Sequence, residues 1–233
     1  MQKKRNKRHS VRIIHNMARS GGTLISRCLG SMDGVLLLSE IHPTAGGPNT
    51  GQQYDPLVQA HLWHELLRPE DVKQVSKHED GLGFADAIEL VWTRCEESGH
   101  TLVLRDWSHL DYTAVPFPIS PDHRMALVET LSDRFDVIHT ATVRHPVDQW
   151  LSFSKLPMVK GKIDFATFIR GYRLFVEHYR HAGIVRYEDF TSHPDKYMQL
   201  LCERLELAYD PDYQKKWQYY HKVTGDGAGT RRV

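Results

Sequence analysis

The stretch HNMARSGGTLISRCLG, His15 to Gly30, decides the fold. Ahead of its turn, Val11, Ile13 and Ile14 form a short apolar run of the kind that fills a buried strand, and Val11–Met17 is predicted as one. Behind it, Leu24, Cys28 and Leu29 recur at helical spacing, so Gly22–Met32 is predicted as a helix. The join, Arg19-Ser-Gly-Gly-Thr23, is a turn of small residues between the two. Such a turn lets backbone N–H groups close around an anion, and the following helix points its positive end at the same place. Ser20, Gly21, Gly22 and Thr23 supply the cradle, and Arg19 adds a full charge. A nucleoside-triphosphatase loop would need GxxxxGK[ST], with a lysine on the β- and γ-phosphates and a hydroxyl on magnesium. Neither that spacing nor that lysine is present.

Outward from this loop, short apolar runs alternate with helical periodicity. Strands are predicted at GVLLLSE, ending at Glu40, at TLVLRDW (101–107), at DVIHTATVRHP, ended by Pro146, and at GIVRYED (183–189). Helices are predicted at 55–67, 69–78, 83–98, 122–134, 147–155, 164–182 and 194–206. Glycine and proline mark long loops at 41–56 and 111–121. This alternation implies an α/β class: a single three-layer domain over 11–233, with a parallel sheet of about five strands flanked by helices. In such sheets ligands bind at the carboxyl ends of the strands, where the residues singled out here lie.

The bulk properties narrow the partners. The chain has 233 residues, 40% apolar, with a formal net charge of +1, so nothing in its overall charge attracts nucleic acid or a membrane. The basic run in residues 1–10 reads as a flexible solvated tail. No apolar run approaches a membrane span, and Arg12 and His15 interrupt the only N-terminal candidate for a signal peptide. Three cysteines without motif spacing read as reduced thiols, and a cytoplasmic setting is expected. Among fifteen histidines, His61 and His64 stand one helical turn apart, but no HExxH motif or further clustered ligand accompanies them, so no metal is expected.

The Arg19–Thr23 loop resembles the [K/R]-S-G-[T/G]-T loop of sulfotransferases that use 3′-phosphoadenosine 5′-phosphosulfate (PAPS), and is closest to that of tyrosylprotein sulfotransferases. VRHPVDQWLSF carries a second resemblance: Arg144 at a strand end and Ser152 eight residues later match the pair that grips the 3′-phosphate in that family. VRYEDFTSHP resembles a downstream family segment in which Tyr187 and Glu188 would order the site from beneath. The terminal TGDGAGTRR resembles the basic glycine loop that closes over the 3′-phosphate in cytosolic members, so Arg231 and Arg232 join the cofactor-binding candidates. The resemblance runs over about 11–206 and leaves 44–100 unmatched.

This resemblance implies transfer of a sulfuryl group from PAPS, without a metal, to a hydroxyl or amine on a small-molecule or peptide acceptor. Arg19 would hold the phosphosulfate and assist the leaving group. A base must take the acceptor's proton, and cations must offset charge on the transferring group. Glu40, 21 residues after Arg19 as in the tyrosylprotein enzymes, is the first choice for the base. His109, just past the third strand as in the cytosolic pattern, competes, and His42 is third. Arg105 stands where those enzymes carry a lysine that stabilises the transition state; arginine keeps the charge but changes the geometry. Asp106 would pair with it and Trp107 would pack. The acceptor pocket would come from 41–60 and 110–121, with Tyr54, Tyr112 and Phe117 as apolar lining. Two other readings stay open: a small-molecule kinase using ATP and magnesium, and a nucleotide-binding module without catalysis. The acceptor and the oligomeric state are not readable from the sequence.

Overall fold

The computed structural model describes residues 9–46, 50–75, 82–117 and 119–225. Among them, five strands form one sheet: β1 (His9–Asn16), β2 (Val35–Ile41), β3 (Thr101–Asp106), β4 (Phe135–Val143) and β5 (Ile184–Arg186). All pairings are parallel, in the order β2-β3-β1-β4-β5. The helices are α1 (Gly22–Gly30), α2 (Pro56–Leu62), α3 (Pro69–Val75), α4 (Phe84–Glu97), α5 (His109–Tyr112), α6 (Ala126–Leu131), α7 (Pro146–Phe153), α8 (Phe165–Tyr179), α9 (Tyr187–Ser192), α10 (Pro194–Arg204) and α11 (Tyr213–Lys216).

Alternation along the strands builds the two faces. Val11, Ile13, Leu36, Leu38, Leu102 and Leu104 face a core with Ile88 and Val91 of α4 and Leu127 of α6. Ile14, Leu37 and Val103 face the other side, against Ile25 and Leu29 of α1 and Met198 and Leu201 of α10. Each such side chain, fully buried, contributes about 1.5–3 kcal/mol relative to exposure. A third core of Met17, Val143, Phe153, Phe168 and Phe175 seats α7 and α8 beside the end of β4.

The five-strand α/β class agrees with the sequence reading, and several boundaries move. β1 begins at His9, inside the segment assigned to the tail. The helix predicted at 122–134 shrinks to α6, and that at 55–67 ends at Leu62. The strand predicted through Asp189 stops at Arg186, because Tyr187 opens α9. β-branched and aromatic residues made that segment read as extended; packing turned it into a helix. Order 2-3-1-4-5 makes β1 the switch point, with chain leaving to either side, so the loops after β1, β3 and β4 meet at one end.

Candidate functional site

The loop after β1 is shaped by its own backbone. Arg19 and Gly21 take positive φ, 66° and 88°. Ser20 donates both its amide (3.3 Å) and its hydroxyl (2.8 Å) to the Met17 carbonyl, closing the turn. The amides of Gly21, Gly22 and Thr23 have no backbone partner among the described residues, as expected at a helix start, and they are the donors an anion would meet. Both glycines are sterically required. A Cβ on Gly21 would run into the Tyr187 ring, and one on Gly22 into the Asn16 amide.

The corner after β4 meets this loop. Arg19 Nε donates to Ser152 Oγ of α7 at 3.0 Å, and Gln149 of α7 donates to the Ala18 carbonyl at 2.8 Å. The Arg144 guanidinium lies over the Tyr187 ring, 5.3 Å from its centroid. Glu188 accepts from the His145 amide at 2.7 Å, which ties α9 to the corner. Tyr187 thus stands between the turn at Gly21 and the charge at Arg144.

At the ends of β2 and β3 a carboxylate meets a guanidinium. The β2–β3 register shifts between Leu38 and Ile41, and Glu40 takes a positive φ of 56° in that irregularity. Its Oε1 accepts from Arg105 Nη2 at 3.2 Å. Arg105 also donates from Nε to Asn16 (3.4 Å) and from Nη1 to Ser39 Oγ (3.2 Å) and the Thr224 carbonyl (3.1 Å). These four contacts leave one of the five guanidinium N–H groups for a ligand. Arg105 is 5% exposed at its side chain and Glu40 12%, so the pair sits in low dielectric but within reach of a bound molecule. Gln59 holds Ser39 from both sides, accepting from its amide and donating to its carbonyl, each at 2.7 Å. Asn16, Ser39 and Gln59 were not singled out in the sequence, and Thr224 entered only as the first residue of the terminal TGDGAGTRR segment; it lies 185 positions from Ser39, and nothing in the sequence pointed to their contact.

The histidines fall elsewhere. His109 is buried, with Nε2 bonded to the Val115 carbonyl and Nδ1 to the Thr113 hydroxyl at 2.5 Å. Burial pushes its pKa down to about 4. His42 is buried too. Its Nδ1 accepts from the Thr44 amide at 3.2 Å, so Nε2–H donates to Asp111 at 3.0 Å. Asp106 does not pair with Arg105: it accepts from His15 at 2.7 Å and Ser108 at 2.5 Å on the other side of β3. Adjacent strand residues point to opposite faces, which is why the expected pair does not form. His64 is bonded to the Leu37 carbonyl at 3.0 Å. Among the described residues no three His, Cys, Asp or Glu side chains gather as a metal site.

Aromatic residues flank the pair. Trp107, 7% exposed, stacks on Tyr54 at 4.1 Å and meets Phe117 edge-on at 5.2 Å. Burial and then the Glu40 carboxylate push the Tyr54 phenol pKa up, and Arg105 pulls it down, so the hydroxyl feels both charges. Tyr112, expected in the same lining, is instead buried against Phe175 and bonded to His178 at 2.7 Å. Arg231 and Arg232 lie outside the described residues.

Two solved structures share this architecture over most of their length. The sulfotransferase domain from the curacin biosynthetic pathway superposes with a TM-score of 0.65 at 17% identity, over 95% of this chain and 82% of that one. The sulfotransferase domain from the Synechococcus PCC 7002 olefin synthase gives 0.64 at 21% identity, over 91% and 78%. The chain has the sulfotransferase fold. No protein-family model and no curated protein sequence matches the chain. Within this fold, the loop after β1, the corner after β4 and the Glu40–Arg105 pair share the carboxyl end of the sheet. No helix among the described residues is long and apolar enough to cross a membrane.

Proposed function

We propose that the protein is a PAPS-dependent sulfotransferase that uses Glu40 as general base. The observation that carries this reading is the 3.0 Å bond between Arg19 and Ser152, with Arg144 over the ring of Tyr187, which itself abuts Gly21. Two anion-binding elements far apart in the chain converge, as a nucleotide with phosphates at both its 3′ and 5′ positions requires. The Gly21–Gly22 turn, too tight for a Cβ, fits a phosphate held by backbone N–H groups. Arg19 and the Gly21–Thr23 amides would hold the phosphosulfate; Arg144 and Ser152 would hold the 3′-phosphate.

PAPS as the donor substrate supplies the sulfuryl group. The acceptor oxygen bonds to sulfur, the bond from sulfur to the 5′-phosphate oxygen breaks, and the acceptor proton passes to Glu40. The products are a sulfate ester and adenosine 3′,5′-bisphosphate. Glu40 Oε1 is held by Arg105, which leaves Oε2 for the proton. The remaining Arg105 N–H and Arg19 offset charge on the sulfuryl and bridging oxygens. His109, with both ring nitrogens engaged, is poorly placed to compete.

On the acceptor side, the Tyr54–Trp107–Phe117 wall favours an apolar, flat acceptor. No Lys or Arg occurs in 41–67 or 106–123, so an acidic peptide would find no cation in the segments that flank the pair.

The deciding experiment has two arms. Adenosine 3′,5′-bisphosphate in EDTA should raise the melting temperature, and ATP with magnesium should not. Transfer of labelled sulfate from PAPS to a panel of alcohols and phenols should then be seen. Binding without transfer would leave a nucleotide-binding module, and stabilisation by ATP with magnesium alone would indicate a kinase.

A further inference from the structure

We propose that the segment 220–225 is a catalytic strap and that Thr224 is a positioning residue for Arg105. This rests on the sulfotransferase reading and adds to it an element that neither the anion loop nor the β4 corner supplies.

The strap is anchored before it reaches the site. The Tyr220 ring lies against Gly30 at the end of α1, where a Cβ would stand 2.6 Å from the phenol oxygen. Val223 packs against the core between α1 and α10. From there the backbone crosses the ends of β2 and β3. The Thr224 amide donates to Ser39 Oγ at 3.0 Å, and its carbonyl accepts from Arg105 Nη1 at 3.1 Å. Ser39 Oγ also accepts from Arg105 Nη1 at 3.2 Å. With both lone pairs used, the serine proton is directed to Thr224 Oγ1 at 2.9 Å. Ser39, Arg105 and Thr224 therefore form a closed ring of hydrogen bonds in which every member orients the next. Without the strap, Nη1 would keep one acceptor, and the guanidinium could turn away from Glu40.

Gly225 completes the cover. Its φ is 105°, and a Cβ on it would stand 2.8 Å from Thr23 Oγ1 and 3.8 Å from both Arg105 Nη1 and Glu40 Oε1. The strap thus runs alongside both the loop after β1 and the base–arginine pair, and its proposed second role is to keep water from the transferring group. Water attack on sulfur would break the same bond and give sulfate, adenosine 3′,5′-bisphosphate and two protons. The strap suppresses that loss while fixing Arg105.

The test uses Thr224→Pro, which removes the amide donor and displaces the carbonyl, with Thr224→Ser as the conservative control. Three measurements are made on the full chain: phenylglyoxal labelling of Arg105 read by mass spectrometry, calorimetric affinity for adenosine 3′,5′-bisphosphate, and the ratio of sulfate release to transfer from PAPS with 4-nitrophenol as probe acceptor. Thr224→Pro should raise Arg105 labelling at least fivefold. It should leave bisphosphate affinity within about threefold, lower kcat for transfer tenfold or more, and raise the share of sulfate released to water. Thr224→Ser should behave as the unaltered chain. Unchanged Arg105 labelling would overturn the proposal even if no nucleotide binds, and failure of the unaltered chain to bind the bisphosphate would instead overturn the sulfotransferase reading. A loss confined to bisphosphate affinity, with kcat intact, would make the strap a cofactor clamp and also overturn the positioning role.

Discussion

Gly21→Ala tests how the loop after β1 and the corner after β4, the two proposed anion sites, are joined. Gly21 has φ 88°, a conformation that costs an L-residue roughly 1–2 kcal/mol. The new methyl would also have three Tyr187 ring atoms within 2.9 Å, against about 3.5–4.0 Å for favourable contact. Backbone and ring cannot both stay. Overpacking of this kind costs typically about 1–3 kcal/mol, so the total is roughly 2–5 kcal/mol. At about 2–4 °C per kcal/mol for a chain of this size, the melting temperature should fall by about 4–20 °C. Because Tyr187 carries Arg144 on its face, displacement of the ring should also weaken adenosine 3′,5′-bisphosphate more than adenosine 5′-phosphate. Thermal denaturation and calorimetric titration measure both effects. Gly21→Ala/Tyr187→Ala should recover part of the stability, because the ring is gone, but not the selectivity for the 3′-phosphate. A Gly21→Ala protein that melts normally and keeps its selectivity would refute the coupling through Tyr187.

Arg144→Ala and Ser152→Ala should each weaken adenosine 3′,5′-bisphosphate about ten- to a hundredfold, with little effect on adenosine 5′-phosphate, by competitive titration. Glu40→Gln should keep bisphosphate affinity, since the amide oxygen can still accept from Arg105, and lower turnover about 10²–10⁴-fold in a sulfate-transfer assay. His109→Asn should cost stability rather than turnover, because it breaks contacts to Val115 and Thr113. Burial pushes His64, His109 and His139 each down to about 4. A histidine with a depressed pKa favours the folded state above its unfolded value near 6.5 and loses that contribution as pH falls towards 4. For His109 the drop corresponds to an upper bound of about 3 kcal/mol. Chemical denaturation should therefore show stability falling from pH 7 to pH 5, with a shallower slope in His109→Asn.

The sequence by itself determined what short-range patterns encode. The apolar run before Arg19, the small residues of the turn and the helical spacing after it place a strand–loop–helix unit whatever the rest of the chain does. The alternation of Leu36, Leu37 and Leu38 across the two faces of the sheet follows from the strand period alone. The eight-residue step from Arg144 to Ser152 spans one strand–helix corner, so the placing of both residues on that corner was legible in local spacing. Strand order decided the rest. Glu40 meets Arg105 because β2 pairs with β3, and Arg19 reaches Ser152 because β1 lies beside β4; neither neighbour relation is written in local periodicity. Facing decided His109 and Asp106. A residue one step along β3 points to the opposite side, and a histidine three residues past that strand was turned inward by α5. Tertiary packing also made a helix of the segment opening at Tyr187 and laid the aromatic ring beneath Gly21. Thr224 comes to Ser39 only after the whole sheet has formed, since its hydrogen bonds join groups that no window of sequence contains together.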